Sequence, residues 1–270
     1  MHNTIKERFD ERSDIYFSNI QVGLDILNEK VENAFPAVVW DMIHQDIPDL
    51  RGKRVLVPSS GDSIMMFAFH LMGAKVTSCD ISDSQLNNAK KIADKYGWDI
   101  EFIQQDSMLL DKIPNETYDL LYTSNGVHVW IHDLLGMYNN FYRVLKPGGR
   151  YIMCEIHPFL RPFDMKNDDN IVVKKPYSET GPYPNEGVFT YTWRLQDFIN
   201  NISSAGFRIT RMEEFTPGTE CWDIGFYNSA EEAKADNHRK YDWKLNPWAA
   251  LPQWFGLSAI KVTKSIIPNS

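Results

Sequence analysis

Two aspartates and two histidines stand in this sequence where strands should end and loops begin. Asp80 closes the run KVTSCD, a strand-like segment that follows the loop PSSGDS at Pro58–Ser63. A short loop leading into a helix amino terminus suits an anionic group, and a carboxylate on the next strand suits a ribose diol. Asp106 follows a second short strand pattern, EFIQQ. His128 lies just past the run YDLLYT, and His157 just past RYIMCE. Histidine titrates near neutrality, so either could accept a proton from a hydroxyl or an amine. A structural hydrogen bond is the competing role for both. His157 is the stronger candidate of the two, because a His-Pro pair after a strand makes a rigid turn; Glu155 is a weaker one. These groups propose a nucleotide-like ligand at the ends of strands.

The elements that must hold them are legible in the apolar pattern. Residues 1–50 read as amphipathic helices, with Phe9, Phe17, Ile20, Leu24, Leu27 and Val31 at helical spacing and Pro36 as a break. Val55–Val57 is a β-type run, and Ile64–Met72 is a helix apolar on nearly every side, to be covered on both faces. Met65, Met66 and Met72 read as core, and Cys79 as a buried strand residue. Ser82 and Gln85 have capping-box spacing and open a helix that Gly97 ends. Strands are expected at Ile100–Gln104, Tyr118–Thr123, Arg150–Glu155, Phe207–Phe215 and Leu257–Val262. Helices are expected at Asp133–Lys146 and Trp193–Ser204, the former stopped by Pro147-Gly148-Gly149. Strands alternating with helices imply a parallel sheet covered on both faces. Regularity fails at Leu160–Thr192 and again in a tryptophan-rich stretch containing Trp222, Trp243, Trp248 and Trp254. The first reads as an insertion, with a hairpin folded over the strand ends. Asp10, Glu11 and Arg12 read as a solvated helix face.

Composition bounds the function. The chain has 270 residues, 43% hydrophobic and 24% charged, enough for one well-buried α/β domain with insertions. Its formal net charge of -8 gives no global field toward nucleic acid, and no nucleic-acid partner is expected. Cys79, Cys154 and Cys221 are far apart and odd in number, against a secreted disulfide framework. The start is charged, without an apolar signal core, and the most apolar segment is too short to span a bilayer. A soluble cytoplasmic protein without membrane contact is the expectation. No His, Cys, Asp or Glu set has metal-ligand spacing, so no metal is expected.

Several local sequences, in order, resemble the class I S-adenosylmethionine-dependent methyltransferases. They are FDERSDIY with Tyr16, QQDSM with Asp106, YDLLYTSNGV, LKPGG at Leu145–Gly149, and WRLQDFINNISSAGFRITRMEEF. EIHPF after the fifth strand further resembles a bacterial small-molecule branch of that family. The resemblance spans Phe9 to Val262. It implies an α/β, three-layer Rossmann-like methyltransferase fold with a seven-stranded, mostly parallel sheet whose last strand is antiparallel, plus N-terminal helices and lid insertions. The divisions are a helical cap at 1–50, a cofactor-binding core at 51–159, an insertion at 160–192 and the rest of the same core at 193–270, one domain overall.

The resemblance also implies S-adenosylmethionine as cofactor and S-adenosylhomocysteine as its product. Ser59, Ser60, Gly61 and Asp62 would lie against the methionine part. Asp80 would accept from the ribose hydroxyls with Ile81 beside it. Asp106 and Ser107 would meet the adenine, Asn125 and Gly126 would border the sulfonium, and Tyr16 would close over the carboxylate. The family's usual acid and glycines before the loop are replaced here by Val57, Ser59 and Ser63, with only Gly61 kept. Asp62 is the candidate substitute for the missing acid. Tyr177, Tyr191, Trp193 and Trp222 are candidate walls for the acceptor.

The function expected is methyl transfer to an O, N or S nucleophile of a small molecule. No Asn/Asp-Pro-Pro-aromatic motif follows the fourth strand and no Pro-Cys pair is present, which demotes nucleobase and protein-glutamine acceptors. Two alternatives stand beside it: a methyltransferase-fold binding protein that has lost catalysis, and another nucleotide-binding α/β enzyme such as a reductase. The sequence leaves the oligomeric state open.

Overall fold

Period-two burial builds the sheet from both sides. In β1 (Arg54–Pro58), Val55 and Val57 join one apolar cluster while Leu56 joins another. In β4 (Tyr118–Thr123), Leu120 and Tyr122 face the first cluster and Leu121 the second. Successive side chains of a strand point to opposite faces, so both faces of the sheet are packed. The computed structural model describes residues 2–18, 20–164, 170–216, 235 and 242–262.

The remaining sheet strands are β2 (Lys75–Asp80), β3 (Ile100–Gln104), β5 (Leu145–Ile156), β8 (Phe207–Phe215) and β9 (Trp254–Lys261). Two short strands, β6 (Tyr183–Asn185) and β7 (Val188–Thr190), form a separate hairpin. The seven-stranded sheet has the order β3-β2-β1-β4-β5-β9-β8. β1 through β5 pair in parallel, and β9 runs antiparallel to both β5 and β8. The direction of crossover reverses between β1 and β4, so the crevice at their carboxyl ends is the topological switch point. The Rossmann-like fold with one antiparallel strand near its edge is the one expected.

The helices are α1 (His2–Ser18), α2 (Ile20–Glu29), α3 (Ala37–Asp46), α4 (Met65–Leu71), α5 (Asp83–Tyr96), α6 (Leu134–Val144) and α7 (Leu195–Ser204). α4 is buried through Met66, Phe67, Ala68 and Phe69, as its all-round apolar pattern requires. α5 opens with Ser82 accepting from the Gln85 N–H and closes at Gly97 in a left-handed conformation. α6 and α7 cover the opposite face through Tyr138, Phe141, Phe198 and Ile202.

Two boundaries depart from the sequence expectation. β5 starts at Leu145 and runs through Pro147-Gly148-Gly149 rather than beginning at Arg150. Its pairing with β4 shifts register between Tyr118 and Leu120, which accommodates the glycine pair as an irregularity within the strand. A Cβ on Gly149 would stand 2.8 Å from the Lys146 carbonyl and 3.1 Å from that of Tyr118, so glycine is needed for the close approach. β9 begins at Trp254, three residues before the apolar run, because Ile156 at the end of the long β5 pairs with it.

Candidate functional site

The loops after β1, β2, β3 and β4 meet in one cavity of about 420 Å³ at the carboxyl ends of those strands. Ser59, Ser60, Gly61, Asp62, Asp80, Ile81, Asp106, Ser107, Asn125 and Gly126 all line it. These are ten of the eleven residues assigned to the cofactor from the sequence. The eleventh, Tyr16, has its backbone in α1, but its side chain lies outside the described residues.

Asp80 is the hub. It is buried, and its Oδ2 accepts from the Gly61 N–H at 2.8 Å while its Oδ1 accepts from the Ser82 N–H at 2.8 Å. One carboxylate thus fixes both the β1 loop and the start of α5. An ionised carboxylate offers about four lone-pair sites, so about two remain for a diol. Burial pushes the carboxyl up to about 6; the N–H groups of Ser82, Gly61 and Ile81 oppose the rise, and the Asp62 charge adds to it.

The β1 loop keeps a glycine-like shape with few glycines. Ser59 adopts φ +50° and Gly61 φ +53°. A non-glycine residue in the left-handed region costs roughly 1 kcal/mol, which its neighbours must offset. Ser59 Oγ donates to Ser107 Oγ at 2.8 Å, and Ser60 Oγ lies 2.7 Å from Ser78 Oγ. At Gly61 a Cβ would stand 2.6 Å from Gln85 Oε1, so the Gln85 side chain would have to shift and the left-handed φ would be strained as well. Asp62 has one carboxylate oxygen, Oδ2, buried with no hydrogen-bond partner among the described residues. Burial holds its carboxyl above the ordinary range. A buried carboxylate oxygen without a donor is costly unless a ligand supplies one.

On β3's side, Asp106 Oδ1 accepts from the Met108 N–H at 2.8 Å and shapes the turn that lines the cavity. The chain after β4 gives the longest wall: Asn125, Gly126, Val127, Val129, Trp130 and Ile131. Ile5 and Phe9 of α1 also line the cavity, with Phe9 edge-on to Trp130 at 5.2 Å between ring centroids. Gln85, Met108 and these apolar residues were not picked out from the sequence. A signal existed in VHVW after the fourth strand and in Ile5 and Phe9 at helical spacing, but it pointed equally to core.

The face at Asp10 is a correction. Asp10 Oδ1 accepts from Ser82 Oγ at 2.6 Å and from the Ser84 N–H at 3.1 Å, so it caps α5 from α1 rather than facing solvent. Lys6 adds an ion pair to Asp83 at 3.1 Å, and Arg8 and Arg12 both reach Glu186 between β6 and β7. α1 is therefore tied to α5 on one side and to the hairpin on the other.

Both histidines are buried, and neither is among the residues lining the cavity. His157 Nδ1 accepts from the Phe159 N–H at 3.1 Å, which leaves Nε2–H to donate to Glu214 at 2.7 Å. His128 Nδ1 donates to Glu155 at 2.9 Å, and its Nε2 faces the Tyr151 hydroxyl at 3.5 Å. Val129 lines both the main cavity and a much smaller one bounded by His128, Glu155, Arg161, Tyr191 and Trp193. Tyr191 and Trp193 stack at 5.3 Å, and the Tyr191 N–H and Trp193 Nε1–H donate to the Val129 and Ile131 carbonyls. Tyr177 is more exposed, its hydroxyl accepting from the Leu195 N–H at 2.9 Å. Trp222 lies outside the described residues.

Among the described residues no group of three His, Cys, Asp or Glu side chains could hold a metal ion, and no helix is long and apolar enough to cross a membrane.

Comparison with known proteins follows the same lines. Residues 55–149 match a family described as a methyltransferase domain. The chain is 27% identical over 180 residues to the uncharacterized methyltransferase YbaJ of Bacillus subtilis, covering 62% of this chain and 70% of that one. It is 34% identical over 209 residues to the sterol 24-C-methyltransferase of Pneumocystis carinii, covering 68% of this chain. It is 28% identical over 156 residues to a ubiquinone/menaquinone biosynthesis C-methyltransferase of Cereibacter sphaeroides, covering 54% of this chain. The matched stretches span 50% and 59% of those last two proteins. In structure it resembles an S-adenosylmethionine-dependent methyltransferase from Mesorhizobium loti. The TM-score is 0.62 at 21% identity, over 83% of this chain and 98% of that one.

Proposed function

The chain belongs to the class I S-adenosylmethionine-dependent methyltransferases, and from that premise we propose that it carries a methyl group to a nucleophilic atom of a small molecule. Oxygen, nitrogen and sulfur acceptors fit the sequence, and the names of the two C-methyltransferase relatives add carbon. The observation that carries the reading is the cavity at the switch point, where Asp80 keeps spare acceptor capacity and Asp62 presents a buried oxygen without a donor.

S-adenosylmethionine fits the donor set. Asp80 would accept from the ribose diol. Asp62 would accept from the methionine ammonium, taking over from the acid that Val57 replaces. The Ser59–Ser63 loop would lie against the methionine part, with Ile81 and Asp106 beside the ribose and adenine. Asn125 and Gly126 would border the sulfonium. When bound, the cofactor supplies a methyl group on a positively charged sulfur, open to in-line displacement. The protein's share is then alignment and exclusion of water. Ile5, Phe9, Val127, Val129, Trp130 and Ile131 supply the dry wall. The acceptor would enter from the side of Tyr191 and Trp193, whose hydrogen bonds to the Val129 and Ile131 carbonyls join the insertion to that wall. Among the described residues neither imidazole faces the main cavity, which supports an acceptor that arrives already nucleophilic or loses its proton to solvent.

A binding protein without catalysis is the second reading, motivated by Val57, Ser59 and Ser63. Ser59 at φ +50° weighs against it, because the loop holds the shape that glycine gives elsewhere. Calorimetric titration with S-adenosylmethionine, S-adenosylhomocysteine and NADH is the test. Micromolar binding of the first two with none of the third is expected. Selective NADH binding would refute the proposal, and so would a folded sample that binds nothing.

A further inference from the structure

The wall that would face the transferred methyl is not held by the cavity's own residues. Six of its members lie between Asn125 and Ile131, and His128 sits in their midst with its ring turned away, buried. That ring meets Glu155, near the carboxyl end of the neighbouring strand β5, at 2.9 Å from Nδ1 to Oε2. The other oxygen, Oε1, accepts from the Gly126 N–H at 3.4 Å and the Ile156 N–H at 2.9 Å. Arg161 approaches the same oxygen at 4.0 Å. On its far side the His128 ring faces the Tyr151 hydroxyl, which lies 2.9 Å from Thr123 Oγ1, in the last residue of β4. A carboxylate accepts only, so Nδ1 of His128 carries a proton, and Nε2 faces the Tyr151 hydroxyl.

We infer that Glu155 and His128 form a buried strut that sets the position of the Asn125–Ile131 wall against the sulfonium end of the cofactor. Both are positioning residues: they act through Gly126 and its neighbours and do not touch the ligand. The physical reason is that the wall's later residues have other anchors, Val127 and Ile131 in the core and the Val129 and Ile131 carbonyls on the insertion, whereas its start at Gly126 has none of these. Gly126, at φ +86°, has the backbone freedom of glycine and no side chain to anchor it. Without the strut nothing else described reaches that N–H. A buried, fully hydrogen-bonded polar network specifies one arrangement where apolar packing would accept several. A displacement of about 1 Å at a reacting centre costs on the order of 100-fold in rate.

The inference rests on the cofactor reading above, and it is tested by the two cofactor forms, which differ at the sulfonium. Affinities for S-adenosylmethionine and S-adenosylhomocysteine are measured by calorimetry on the wild type, Glu155→Leu, His128→Leu and His128→Asn, each checked by circular dichroism. Glu155→Leu keeps most of the bulk but removes both acceptor oxygens, so the Gly126 N–H and the His128 ring lose their common partner. Asn at 128 places an amide N–H near the position of Nδ1, whereas Leu does not. Glu155→Leu and His128→Leu should weaken S-adenosylmethionine about tenfold, with S-adenosylhomocysteine within about twofold of wild type, and His128→Asn should restore most of the loss. Equal weakening of both ligands, or no change in either, would overturn the strut. Failure of the wild type to bind either ligand would instead overturn the cofactor reading, and the strut with it.

Discussion

Lowering the pH from 7 to 5 should weaken cofactor binding about tenfold, and the cause should be Asp80. Its carboxyl sits at about 6 because burial opposes the charge more strongly than the N–H groups of Ser82, Gly61 and Ile81 favour it. Only the ionised form accepts two diol hydrogen bonds while still holding Gly61 and Ser82. For a group that must be ionised to bind, the apparent dissociation constant scales with one plus the protonated-to-ionised ratio. That factor is about 1.1 at pH 7 and about 11 at pH 5 for a group titrating at 6. The ligand contributes little in this window, since α-amino groups titrate near ~7.8 and α-carboxyl groups near ~3.5. Asp62 faces the same cavity and is also raised by burial, so it must be separated. Calorimetry at pH 7, 6 and 5 on wild type, Asp62→Asn and Asp80→Asn makes the separation. The slope should persist in Asp62→Asn and vanish in Asp80→Asn, whose binding is weak throughout. Equal affinity at pH 5 and 7, or a slope that survives in Asp80→Asn, would refute the reasoning. The folded state alone has the opposite preference. A carboxyl raised from 3.8 to about 6 contributes stability that is fully present below pH 3.8 and lost as pH rises through 6. The ionised group costs the free protein ~3 kcal/mol, and a ligand that hydrogen-bonds it relieves part of this.

Other outcomes follow from the same geometry. Gly61→Ala should lower stability by about 1–2 kcal/mol in a thermal or urea melt and reduce cofactor affinity, because the left-handed φ and the 2.6 Å approach to Gln85 both resist a Cβ. Asp10→Ala should cost about 1 kcal/mol through the lost cap on α5. Burial raises the Asp10 carboxyl, but Lys6, Ser82 and Ser84 outweigh it and hold the group below its usual range. Its contribution is therefore present above pH 3.8 and lost as pH falls through the lowered value, and an acid titration of the wild type against Asp10→Ala should show it. Phe141→Ala, at a fully buried position between α6 and the sheet, should cost about 3–5 kcal/mol without altering the protein's preference between the two cofactor forms.

The sequence by itself determined the elements and their order. Val55–Val57, Lys75–Asp80, Ile100–Gln104, Tyr118–Thr123 and Phe207–Phe215 are strands, and Ser82 caps α5, because periodicity and capping are local and act within a few residues. With the order came the fold, and with the strand ends came ten residues of one cavity. Tertiary structure decided the rest, since it depends on contacts the chain does not make locally. Asp10 left the solvated face only because α5 brings Ser82 to it across 72 residues of sequence. Ile5 and Phe9 became cavity wall for the same reason. His128 and His157 occupy the strand ends that a proton acceptor would need, yet Glu155 and Glu214 turn their rings elsewhere. Position along a chain sets which strand end a side chain occupies; its direction is set by the partner that satisfies it once buried.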